Sequence, residues 1–140
     1  MNHLVFLNAQ AGELEKILSG VKTMVVKEFD PEKPIAHPVC PGDSLYFMRA
    51  KDVYVLRVKA TVRHVLVFTN NKEEELQQTL KEMQPKLQFT EDQYNYWSLK
   101  PQILLIEFEP AQKIDIIQVA PDKITDRSGW IPFEDFSLIT

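Results

Sequence analysis

Lys22 and Thr23 stand where an apolar helical stretch gives way to β-branched residues, in ILSGVKTMVVK at residues 17–27. An ammonium beside a hydroxyl can grip a polar ligand or activate a nucleophile for attack on a carbonyl. The plainer reading is a lysine after a helix C-cap, favoured there by the helix dipole. Other reactive groups are sparser. Cys40, the single cysteine, lies three residues beyond His37 with no further ligand nearby, so neither a metal site nor a nucleophile is expected. His3 and His64 fit no zinc spacing with it. Glu73, Glu74 and Glu75 read as a solvated, dipole-favoured helix start. No glycine-rich phosphate loop is present, because the four glycines are scattered.

The elements that must position Lys22 and Thr23 follow from periodicity. HLVFLNAQ reads as a first strand. AGELEKILSG reads as a helix over about 10–19, with Leu14, Ile17 and Leu18 on one face and Gly20 suited to the left-handed position that ends it. KTMVVKEF is then a strand. DPEKPIAHPVCPGD, with four prolines, is a long loop. SLYFMR is a strand, AKD a tight connection, and a long strand runs from Val53 to about Phe68. Its alternation puts Tyr54, Leu56, Val58, Ala60, Val62 and His64 on a core face, with Arg57, Lys59 and Arg63 on a basic, solvated face. Asn71 with Glu74, and Thr90 with Gln93, resemble capping boxes opening two further helices. QILLIEFEP and KIDIIQV are late strands, and DKITDRSGWIPFEDF is a closing loop. This order lacks regular βαβ alternation and predicts one α+β domain over residues 1–140, a small mixed β-barrel decorated by helices.

Composition narrows the function. The chain has 140 residues, 44% hydrophobic and 26% charged, with net charge −4. That balance argues against non-specific coating of nucleic acid, which phosphate neutralisation drives, but permits a local basic patch. No signal sequence or membrane span is expected from the start of the chain or from its apolar runs. One cysteine in a proline-rich loop fits a reducing, cytoplasmic setting.

Three stretches together resemble the ASCH domain family. EKILSGVKTMVVK looks like its signature, a helix ending in glycine, then lysine, threonine and a basic residue closing the strand. PGDSLYF looks like its GD-containing turn, and ILLIEFEP like its late hydrophobic strand. The resemblance spans most of residues 10–110. It implies a PUA-like fold and an RNA-associated or nucleoside-binding module. Some bacterial members are amidohydrolases that deacylate acetylcytidine, using the motif lysine, a threonine three residues beyond it and a later glutamate. The lysine matches Lys22, the threonine position holds Val25, and the closing arginine is Lys27. Glu73, Glu74 and Glu75 are the candidate glutamates. Valine has no hydroxyl, so catalysis would require Thr23 to take over, and binding ranks above hydrolysis.

The expected ligand is RNA or a modified nucleoside, with no cofactor. It should sit in a cleft formed by Gly20, Lys22, Lys27, Arg57, Lys59, Arg63 and Trp130. Affinity should then depend on salt. Lys22 and Thr23 are the catalytic candidates under the hydrolase reading. Trp130 is the aromatic residue expected to be exposed for base stacking, with Tyr96 and Trp97 next. A third class, a protein-interaction domain, would show an exposed apolar patch around SGWIPFEDF.

Overall fold

Gly20 takes a left-handed backbone, φ +81°, immediately after the first helix, and the following N–H groups fold back on it: Val21 and Lys22 both donate to the Lys16 carbonyl. Only glycine adopts that φ without strain, so the helix stops there and the next strand starts at once. The computed structural model describes residues 1–8, 11–33, 38–49, 54–124 and 129–140. Among these, the chain runs β1 (Asn2–Leu7), α1 (Glu13–Leu18), β2 (Met24–Glu28), β3 (Ser44–Arg49), β4 (Val55–Phe68), α2 (Glu73–Leu87), α3 (Glu91–Trp97), β5 (Ile103–Phe108), β6 (Gln112–Gln118) and β7 (Trp130–Phe133). His37, the AKD connection and Arg127 lie outside the described residues.

The seven strands form a mixed sheet in the order β2-β5-β4-β3-β1-β7, with β6 also paired to β4. Val25 at one end of that order and Trp130 at the other pack into the same apolar cluster, together with Leu45, Phe47, Ala60 and Ile106. The sheet therefore curls until its two ends face a common interior. No ladder joins β2 to β1 or β7 among the described residues, so the sheet stays open where a closed barrel was expected. α2 covers the outer face of β2 and β5 through Leu76, Leu80 and Leu87. A second outer cluster gathers Leu4, Tyr46, Met48 and Phe133. β5 is buried at every position, as a strand covered on both faces must be.

β4 departs from simple alternation. Arg63 is an extra residue between the Val62–Phe108 and His64–Glu107 pairs, a bulge that flips every later side chain. His64, expected on the apolar face, is therefore 64% exposed, and Val65 turns inward instead. The pairing with β6 also shifts between Leu56 and Val58, which pack into different clusters.

Two end signals divide. Thr90 and Gln93 form the capping box, with the Gln93 N–H on Thr90 Oγ1 at 3.2 Å and the Thr90 N–H on Gln93 Oε1 at 3.0 Å. Asn71 makes none. α2 starts after Lys72, and the Asn71 amide donates to the Pro101 carbonyl at 2.9 Å. The expected closing loop contains β7, whose Pro132 is tolerated because an edge strand can spare one donor.

Candidate functional site

Where the sheet fails to close, a groove opens between the last residues of β1 and the free edge of β2. It has two adjoining compartments of about 450 and 500 Å³, which share Val5, Phe6, Val26, Tyr96 and Trp97. Both volumes suit a small-molecule site. One compartment ends at Asn8, Glu13, Asp92 and Gln93 and has Val25 in its wall. The other ends at Lys27, Glu28, Asp30 and Trp130. α3 supplies the aromatic flank. Tyr96 is 54% exposed, stands edge-on to Trp97 at 5.1 Å, and has the Lys100 ammonium 4.6 Å from its ring centre. Lys27 lies 5.9 Å from the Trp130 ring, a cation over a π face.

Trp130 is not the exposed aromatic. It is 7% exposed and anchored from behind by a buried relay. Its indole N–H donates to His3 Nδ1 at 3.1 Å, and His3 Nε2 meets Asp43 Oδ2 at 2.8 Å. With Nδ1 accepting, the proton sits on Nε2 and points to Asp43. Asp43 Oδ2 also accepts the Cys40 N–H at 2.9 Å, so the GD turn and the groove wall share one carboxylate. Spacing in the sequence did not reveal this relay, because its members are separated by 40 and 127 residues.

Lys22 does not project into the groove. It is 1% exposed, and its ammonium donates to the Leu87 carbonyl at the C-terminus of α2. Thr23 N–H binds the neighbouring Lys86 carbonyl at 2.9 Å, and the Lys16 ammonium binds that of Gln88 at 3.2 Å. The turn at 16–23 thus satisfies three consecutive carbonyls that a helix end leaves orphaned. Burial pulls the Lys22 pKa down to about 8, against the pull of Glu13.

Glu13 links this buried cation to the groove. Its Oε1 lies 3.7 Å from Lys22 Nζ and accepts from the Gln93 amide at 3.2 Å, while Oε2 accepts the Asn8 N–H at 2.7 Å. The carboxylate beside Lys22 therefore comes from α1. Glu73, Glu74 and Glu75 sit in the first turn of α2, the opposite end of a helix roughly 20 Å long from Lys22. In the sequence Glu13 is one polar residue of the helix AGELEKILSG, opposite the face of Leu14, Ile17 and Leu18.

Of the remaining candidates, Lys27 and Trp130 line the groove. Gly20, Thr23, Arg57, Lys59 and Arg63 do not. Lys59 instead lies 5.8 Å from the Tyr46 ring on another face of the sheet. Among the described residues, no group of acidic, histidine or cysteine side chains is arranged to hold a metal ion, and no helix is long and apolar enough to cross a membrane.

Val25, which the sequence resemblance sets against a threonine, is 5% exposed in the interior cluster. Val25→Thr preserves shape but buries a hydroxyl. It is expected to fold with a loss of about 1–3 kcal/mol, read from urea denaturation midpoints.

Comparison of the sequence with protein-family models and with curated proteins finds no match. The fold does have solved counterparts. The structure of ASCH from Zymomonas mobilis superposes with a TM-score of 0.60 at 14% identity, covering 84% of this chain and 73% of that one. Two point variants of the same protein give 0.62 and 0.61 at the same identity. The chain has an ASCH-like fold.

Proposed function

We propose that this protein binds a nucleobase, as a nucleoside or an unpaired base of RNA, in the groove between β1 and β2. The observation that carries this reading is the groove's composition. Aromatic rings at Tyr96, Trp97 and Trp130 line a slot whose ends carry amides and carboxylates. Such a slot suits a flat, neutral, hydrogen-bonding ring.

Charge favours the nucleoside over the polymer. Glu13, Glu28, Asp30 and Asp92 line the groove with Lys27 as the one described cation, and Arg57, Lys59 and Arg63 are not there to meet phosphates. The salt dependence expected of a basic cleft should therefore be weak.

Hydrolysis of an acylated nucleoside is the lesser reading. Among the described lining residues none is serine, threonine or cysteine, and Lys22 is committed to Leu87 and Glu13. A protein-docking role for SGWIPFEDF is disfavoured too, since Trp130 and Phe133 are buried in β7.

Both tryptophans of the chain line the groove, so intrinsic fluorescence reports occupancy directly. Titration with nucleosides should quench or shift it, with an affinity that barely changes with salt. Tyr96→Ala should weaken binding about tenfold, through loss of one stacking face. No fluorescence or calorimetric response to any nucleoside would overturn the reading. A steep salt slope with oligonucleotides alone would return the site to the phosphate backbone.

A further inference from the structure

Hydrogen bonds at the two ends of the β2–β5 ladder fix which main-chain groups of β2 face the groove. Phe108 N–H donates to the Thr23 carbonyl at 3.0 Å, and Phe29 N–H to the Gln102 carbonyl at 3.3 Å. In the antiparallel register between them, Val25 and Lys27 also bond to β5. The N–H and C=O of Met24, Val26 and Glu28 therefore point away from β5, toward the side where β1 would have to pair to close the sheet. Val26 stands where the two compartments meet, and its N–H and C=O have no hydrogen-bond partner among the described residues.

We propose, resting on the nucleobase reading above, that the free edge of β2 recognises the ligand. The Val26 N–H and C=O pair with the donor and acceptor that stand side by side on the pairing edge of a base. A main chain offering one donor and one acceptor selects for an unmodified pairing edge and is indifferent to groups elsewhere on the ring. The same edge could in principle add an extended peptide as a strand. Tyr96 and Trp97, which line both compartments together with Val26, and an edge with one such residue where the compartments meet, favour a planar ring over a chain.

Edge recognition should discriminate between ligands differing by one methyl group. Uridine should bind the wild-type protein at least about tenfold more tightly than 3-methyluridine, and inosine than 1-methylinosine, because a blocked edge strands buried main-chain groups. A methyl group at C5 of uridine should change affinity by less than about threefold. Val26→Pro removes the groove-facing N–H and no bond to β5, a change an edge strand accepts. It should lower uridine affinity at least about tenfold relative to Val26→Ala, which trims the same side chain but keeps the main-chain N–H. Circular dichroism and thermal melts establish that the proline variant folds, and if it does not, the methylated pairs decide alone. Equal binding of methylated and unmethylated partners overturns edge reading and leaves nucleobase binding standing. Binding of an extended peptide with no response to any nucleoside overturns both.

Discussion

Raising the pH from 8 to 10.5 is expected to stabilise the folded protein by about 3 kcal/mol through Lys22 alone. Burial holds the folded-state pKa of this lysine near 8, with Glu13 opposing the drop, whereas the free side chain titrates at 10.5. In that window the unfolded chain keeps a proton that the folded chain has released. Stability then climbs with pH, and below the window both states are charged and the slope vanishes. A neutral amine still donates to the Leu87 carbonyl, so the helix end stays capped. Lys22→Met removes the titrating group and should flatten this part of the curve. At neutral pH the substitution sets two effects of similar size against each other: relief from burying a charge, and loss of the contacts to Leu87 and Glu13. The pH slope is therefore the diagnostic quantity. Urea midpoints for both proteins at several pH values across the window would measure it. Parallel curves would mean that the ammonium is solvated and the lysine is no buried cap.

His3→Leu is the second large effect, a loss of roughly 2–5 kcal/mol at neutral pH. It removes the His3 acceptor of the Trp130 indole N–H and one of the two hydrogen bonds to Asp43 Oδ2, both at buried positions. Acid pH probes the same relay. Burial lowers the His3 pKa from 6.5, more than Asp43 raises it. As pH falls below 6.5 the unfolded chain takes up a proton that folded His3 refuses, so stability declines. Asp43 follows at lower pH. Burial works to raise its pKa from 3.8, but the bonds from His3 and the Cys40 N–H outweigh it and lower it. Its contribution is present above 3.8 and disappears as pH falls through the folded value. His3→Leu should abolish the decline that begins near 6.5. Near-ultraviolet circular dichroism should show Trp130 losing its fixed orientation. An unchanged midpoint and spectrum would show that the relay holds nothing in place.

Local signals survived folding, and cross-chain ones were invisible. Gly20 ends α1 because glycine takes a left-handed backbone, here φ +81°, at no steric cost. Thr90 and Gln93 cap α3 because the motif is complete within four residues. Asn71 fails the same test because Pro101, thirty residues away, claims its amide. Arg63 reads as one more outward basic residue until β5 is in place, since a bulge is defined by two strands. The opening lysine was the hardest to read. A lysine after a helix end is ordinarily solvent-exposed, and only the approach of the α2 C-terminus, 65 residues on, turns Lys22 into a buried cap. The groove was half legible for the same reason. Lys27 and Trp130 were marked by type, while Glu13, Gln93 and the Val26 main chain became candidates only once the open ends of the sheet faced each other.

The placement of β1 has a consequence for synthesis. β1 lies between β3, its parallel neighbour, and β7, with Val5 opposite Trp130. On a ribosome the first strand emerges long before its last partner. At about 5–20 residues per second the delay is roughly 6–25 seconds. Throughout that interval one edge of β1 is open, and Leu4 lacks the Phe133 and Ile139 side chains that later join its cluster. A nascent chain in this state is an aggregation hazard of the kind that chaperones shield. Arrival of β7, rather than collapse of the early helices, is then the event that covers the open edge of β1.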